Sequence, residues 1–149
     1  MSLAALAARD IQVVPIVLHC GVSSLEDGEG PLPERYAVSA ASAARLNAAR
    51  GAGGRIVAIG TTAVRALESS ADARGEIHAG SGWTEVVVGP GRPVTAVDGL
   101  LTGWHEPGAS HLDMIEAIAG PELTARSYAS AVAHDYLWHE FGDVHLILP

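Results

Sequence analysis

The chain has 149 residues, with 17 acidic against 9 basic side chains and a formal net charge of -8. That composition, 48% apolar, suits one α/β-sized domain with a modest core and excludes a disordered chain. The acidic balance, with Arg as its only strong cation, excludes a protein that grips nucleic acid by broad phosphate neutralisation.

The N-terminal stretch Met1-Ser2-Leu3-Ala4 has no basic flank and reads as neither a signal nor a transit peptide. No apolar run approaches the roughly 20 residues of a membrane span, so no membrane partner is expected. The single cysteine, Cys20, excludes an internal disulfide framework and a thiolate zinc cluster, and a reducing cytoplasm is the expected compartment.

Residues 4–9 read as the end of a short helix. Residues 11–18, Ile-Gln-Val-Val-Pro-Ile-Val-Leu, have strand length, with Pro15 implying an edge or a bulge. Residues 22–35 are rich in Gly, Pro, Glu and Asp and read as a loop, with Glu34 lacking a visible partner. A helical pattern runs from Ser39 to Arg50 and closes on Gly51, Gly53 and Gly54. Arg55–Gly60 is a short buried strand, and Thr61 or Thr62 caps a helix through Ser70.

Residues 71–82 read as a polar loop, followed by strands at Thr84–Val88 and Val94–Val97 and a third at Leu100–Trp104. Helices are expected over Ala109–Ala119 and from Pro121 to Trp138, and a last strand over Val144–Leu148. The alternation of helices and strands predicts one α/β domain over residues 1–149, with a mixed, partly parallel sheet flanked by helices.

The best local site lies where the strand at 56–59 meets the next helix. Gly60, Thr61 and Thr62 offer uncapped amides and hydroxyls at a helix start, which attract anions, and Arg65 could add a planar fork. The plain alternative is a Thr cap with Arg65 paired to Glu68 or Glu85 on the surface. Trp83, inside Gly80-Ser81-Gly82-Trp83-Thr84, could stack on a purine ring or cover the edge of the core. His105, after a strand, is a candidate acid, base or hydrogen-bond donor. His19, at a strand end beside Gly21, could face a pocket, whereas Cys20 reads as a small core residue. Asp143 could act as a base or cap a turn. Pro107 and Gly108 interrupt the pair His105 and His111, and His134 and His139 are five apart, so no metal site is expected.

Several segments in this order resemble one family. Leu18-His19-Cys20-Gly21 resembles a Leu-His-Val-Gly motif. Gly53-Gly54-Arg55 through Gly60-Thr61-Thr62-Ala63-Val64-Arg65-Ala66-Leu67-Glu68 resembles a Gly-Gly-Arg…Gly-Thr-Thr-Ser-Val-Arg-Thr-Leu-Glu segment. Ser81-Gly82-Trp83-Thr84, Val97-Asp98-Gly99-Leu100-Leu101-Thr102, His105 and Phe141-Gly142-Asp143 follow in the same order. The pattern is similar to the S-adenosylmethionine:tRNA ribosyltransferase-isomerases of queuosine biosynthesis, over about residues 10–149.

The resemblance implies the C-terminal portion of a larger two-domain enzyme about twice this length, without its N-terminal half and inserted β-barrel-like domain. It implies S-adenosylmethionine as a substrate rather than a prosthetic group, and tRNA as a partner of the full-length protein. The implied reaction transfers and isomerises a ribosyl group onto 7-aminomethyl-7-deazaguanine, releasing adenine and methionine and leaving epoxyqueuosine. His105 and Asp143 are then the expected catalytic groups. His19, Gly60, Thr61, Thr62, Arg65 and Trp83 are the expected substrate contacts.

The chain departs from the pattern where a pair of His is lost ahead of Glu34, where Gly103 and Gly108 stand in place of an Asn and a Lys and Glu106 adds an acid, and where Tyr136-Leu137-Trp138-His139 loses an Arg. Two alternatives therefore stay open. One is a divergent relative that keeps a small-molecule anion pocket but modifies no tRNA; the other is a non-catalytic binding domain. A cut sheet edge would also invite self-association into a homo-oligomer.

Overall fold

The computed structural model describes residues 3–21, 31–105 and 110–149. In chain order its elements are α1 (Leu3–Ala7), β1 (Val17–His19), β2 (Glu34–Val38), α2 (Ala40–Gly51), β3 (Val57–Ile59), α3 (Thr61–Ser70), β4 (Gly80–Thr84), β5 (Gly99–Gly103), α4 (Ser110–Ala119), α5 (Pro121–Ala133), a 3-10 turn at His139–Phe141, and β6 (Val144–Ile147).

The strands form two three-stranded sheets rather than one. The first is antiparallel, in the order β1-β2-β4. The second is mixed, in the order β3-β5-β6, with β3 parallel to β5 and β5 antiparallel to β6. The expected mixed α/β class therefore holds, with the parallel pairing confined to β3 and β5.

Several boundaries differ from the sequence reading, each for a physical reason. The apolar run 11–18 joins a sheet only at Val17. Its earlier carbonyls go to side chains of α2: Val13 O accepts from Arg45 and Pro15 O from Ser42. Glu34–Val38 is a strand, not loop, because it pairs along its whole length with Gly80–Thr84. The expected strand at Thr84–Val88 has shifted forward to β4, and Val94–Val97 forms no strand. The last long helix stops at Ala133, where Asp135 turns to a φ of 56°. The reading of residues 106–109 lies outside the described residues.

Local signals explain the elements that match. Ser39 caps α2, its hydroxyl accepting from Ser42 N at 3.0 Å. Pro121 opens α5, where its missing N–H costs no helical bond. Between β3 and α3 the chain turns through Gly60 at φ 87°, a conformation that disfavours any residue carrying a Cβ.

The core gathers one face of each sheet against α3 and α4. Val64, Leu67, Ile77, Leu100, Ile115 and Ile147 are among its buried members. In the second sheet, Ala58, Leu100 and Ile147 turn inward, while Val57, Ile59, Val144 and Leu146 face out. This difference predicts unequal costs. Leu100→Ala, at a position of 0% exposure, should lower the free energy of urea unfolding by about 3 kcal/mol. Ile59→Ala should change it by less than about 1 kcal/mol.

Candidate functional site

The strand β3 ends at Gly60, and the first turn of α3 carries Thr61, Thr62 and Arg65. No side chain caps this helix start. The Gly60 amide is already used, donating to Leu101 O at 2.9 Å. The Thr62 hydroxyl donates to Glu34 Oε1 at 3.0 Å. Thr61 is partly exposed, and no heavy atom lies within 4 Å of where a Gly60 Cβ would stand.

Arg65 corrects the main expectation. Its side chain is only 4% exposed. Nη1 donates to Glu34 Oε2 at 2.5 Å, Nε to Val86 O at 2.9 Å, and Nη2 to Leu32 O at 2.9 Å and Thr84 O at 3.2 Å. Four of its donor bonds are thus satisfied within the chain, and the fork is not offered to an external anion. The surface pairing with Glu68 or Glu85 fails as well. Glu68 is buried and accepts from the amides of Thr95 and Ala96 at 3.0 and 2.7 Å. A carboxylate does reach the first turn of α3, but it is the protein's own Glu34, held by the Thr62 hydroxyl and the Arg65 guanidinium.

His105 follows β5 and is half-buried. Its Nε2 lies 3.2 Å from Thr102 Oγ1. The backbone around it is held from two sides. Tyr128 of α5 donates to His105 O at 3.2 Å, and the His139 amide donates to Trp104 O at 2.9 Å. The His105 ring stacks on His111 of α4, with centroids 4.1 Å apart and planes 6° from parallel, and His139 lies 4.8 Å away at 36°.

Burial pushes the His105 imidazole down from 6.5 to about 4, and the neighbouring His111 and His139 oppose its charging further. His111 is lowered mainly by burial, and His139 lowers it further, while Glu34 pulls the other way and Arg65 opposes Glu34. At neutral pH His105 is therefore uncharged, able to accept a hydrogen bond or a proton but holding no positive charge. Among the described residues, no group of three or more His, Cys, Asp and Glu side chains is arranged to hold a metal ion.

The remaining candidates lie elsewhere. Asp143 Oδ2 accepts from the Leu137 amide at 2.6 Å, the turn-forming contact that is the alternative to a base. Cys20 is exposed, not a core residue. His19 and Trp83 share the outer face of the first sheet, away from Glu34. In the register, His19 pairs with Arg35, and Arg35 with Trp83. All three are exposed, whereas the next row, Glu34 and Thr84, is buried. Trp83 is 67% exposed, so it does not cover the core edge. The core indole is instead Trp104, stacked on His145 at 4.0 Å. Sequence reading missed Glu34, Arg35 and His111 as members of these groups. Their signal is cross-strand register and helix position, which composition does not reveal.

Two outcomes test this geometry. Glu34→Gln should destabilise the fold by about 3 kcal/mol in urea titrations, because it leaves the buried Arg65 charge without its counter-charge. The depressed histidines fix the sign of the pH dependence. The unfolded chain takes up protons near 6.5, whereas folded His105 resists until about 4. The melting temperature should therefore hold above pH 6.5 and fall as pH drops from 6.5 toward 4. His105→Asn should flatten part of that fall in thermal melts recorded at a series of pH values.

Comparisons with known proteins agree with this architecture. The family model described as "Queuosine biosynthesis protein" matches residues 1–147. The S-adenosylmethionine:tRNA ribosyltransferase-isomerase of Symbiobacterium thermophilum is 43% identical over 150 residues, covering 96% of this chain and 44% of that protein. The protein of the same name from Moorella thermoacetica is 42% identical, with the same coverage of 96% and 44%. The crystal structure of S-adenosylmethionine tRNA ribosyltransferase from Thermotoga maritima superposes with a TM-score of 0.81 at 34% identity, over 98% of this chain and 48% of that one. The chain thus spans about half the length of the relatives it matches, and it belongs to the queuosine biosynthesis protein family.

Proposed function

We propose that this chain supplies part of the active site of an S-adenosylmethionine:tRNA ribosyltransferase-isomerase. The reaction moves the ribosyl group of S-adenosylmethionine onto 7-aminomethyl-7-deazaguanine in tRNA and isomerises it, with release of adenine and methionine. The observation that carries this reading is the 43% identity over 96% of the chain to a protein of that name. Further support comes from the open ground beside Gly60 and Thr61 at the end of β3, where ligands of α/β sheets tend to bind.

In this reading S-adenosylmethionine is a substrate, and the protein works in the cytoplasm, where its tRNA partner is found. His105 is the catalytic group, acting as a neutral hydrogen-bond or proton acceptor whose ring is fixed by Thr102 and His111. Thr61 contacts substrate at the helix start. Glu34, Thr62 and Arg65 are positioning residues that hold the start of α3 against the first sheet. No step needs a metal ion.

The test is adenine release by a full-length protein carrying this chain, since part of an active site need not turn over alone, followed by chromatography after incubation with S-adenosylmethionine and tRNA carrying the deazaguanine base. The expected result is release that depends on both substrates and drops about 100-fold in His105→Asn. Absence of adenine above the protein-free blank would favour the non-catalytic binding reading. That reading draws on one specific observation, the engagement of the Arg65 guanidinium and the Thr62 hydroxyl by the chain's own Glu34.

A further inference from the structure

The second sheet is apolar on both of its faces. Ala58, Leu100 and Ile147 point inward and are buried. On the other face the register sets Ile59 beside Leu101 and Leu101 beside Leu146, with Val57 beside Gly99 on one flank and Gly103 beside Val144 on the other. Leu148 joins this outer face, because a Cβ on Gly99 would stand 2.9 Å from Leu148 Cδ1 and 3.5 Å from Val57 Cγ2. None of these side chains is charged or polar. The turn at His139–Phe141 covers the corner at Gly103, where a Cβ would collide with His139 Cβ. Even so, Ile59, Val144 and Leu146 stay exposed over 67%, 61% and 58% of their surface. The first sheet differs, since its outer face presents His19 and Arg35 to water.

A near-continuous apolar strand is the mark of a sheet buried on both sides, and sheets with parallel pairing carry a packed layer on each face. Here α3 and α4 supply the inner layer. An uncharged patch spread over three strands marks a surface that another element covers. We propose that the outer face of β3, β5 and β6 is the docking surface for the half of the family's chain that lies outside the matched region. The relatives run to about twice the length of this chain, so in them a stretch of comparable size accompanies this fold. A second copy is a poorer occupant, because it brings two net charges of -8 against each other.

The experiment compares thiol labelling in two proteins, the 149-residue chain and a full-length protein carrying it. Ile59→Cys and Leu146→Cys are introduced one at a time, a maleimide is added, and the labelled peptide is followed by mass spectrometry. Each rate is divided by the rate of the same protein in concentrated urea. In the chain alone both thiols should react within about 10-fold of their urea rates. In the full-length protein they should react about 100-fold more slowly than in urea, at every protein concentration. Two positions keep the outcome readable if one variant fails to fold. Equal ratios in the two proteins overturn the proposal. Protection that grows with protein concentration in either form also overturns it, because it gives the face to a second copy. Adenine release plays no part in this readout, so loss of the proposed activity and loss of this interface are separate results.

Discussion

A buried guanidinium must find partners for its charge and its donors within the protein, and the arrangement around Arg65 follows from that requirement. Glu34 supplies the charge, and the carbonyls of Leu32, Thr84 and Val86 take further donors. Those partners belong to β2, to the end of β4 and to the segments flanking them. One side chain on α3 therefore ties a helix of the second sheet to two strands of the first. Ser69 reinforces the same seam, donating to Thr84 Oγ1 at 2.7 Å while Thr84 leans back on Arg65 O. Removing one member of such a network costs far more than the network adds over an apolar core.

This internal bond also decides what the neighbouring chemistry can be. With Glu34 drawn to the first turn of α3, the Thr62 hydroxyl and the Arg65 guanidinium already serve a carboxylate. Burial, with the neighbouring imidazoles, keeps His105 uncharged, and burial lowers His111 as well. The neighbourhood of His105 thus suits hydrogen bonding and proton acceptance more than the binding of a bare anion. The flat, exposed side chains of His19, Arg35 and Trp83 lie on the other side of β2. The candidate residues divide between two faces of one strand, and alternation along β2 makes that division.

Much of this was legible in the residues. The apolar run ending in Gly60, the Ser39 cap, Pro121 at a helix start and the final apolar strand are local signals, and they lead to β3, α2, α5 and β6. The misreadings are non-local. Glu34–Val38 follows a stretch rich in Gly and Pro and has no strand pattern of its own; it becomes a strand through pairing with Gly80–Thr84, more than forty residues on. Arg65 looks like a first-turn surface cation because its counter-charge lies 31 residues away in sequence. The Leu137 amide on the Asp143 carboxylate is likewise not visible in the sequence. The face that Trp83 occupies comes only from the register.

The neighbouring order Glu34-Arg35 has one more effect, on how β2 finds its place. Successive side chains of a strand point to opposite faces, so sliding β2 by one residue exchanges its two faces. The shifted strand would press the Arg35 guanidinium into the buried position facing Arg65 and carry the Glu34 carboxylate out to water. Two like charges would then be confined together without solvent, a far worse arrangement than the native pair. The alternating charges act as a ratchet pawl, admitting one alignment of a short, weakly patterned strand and rejecting its nearest competitor.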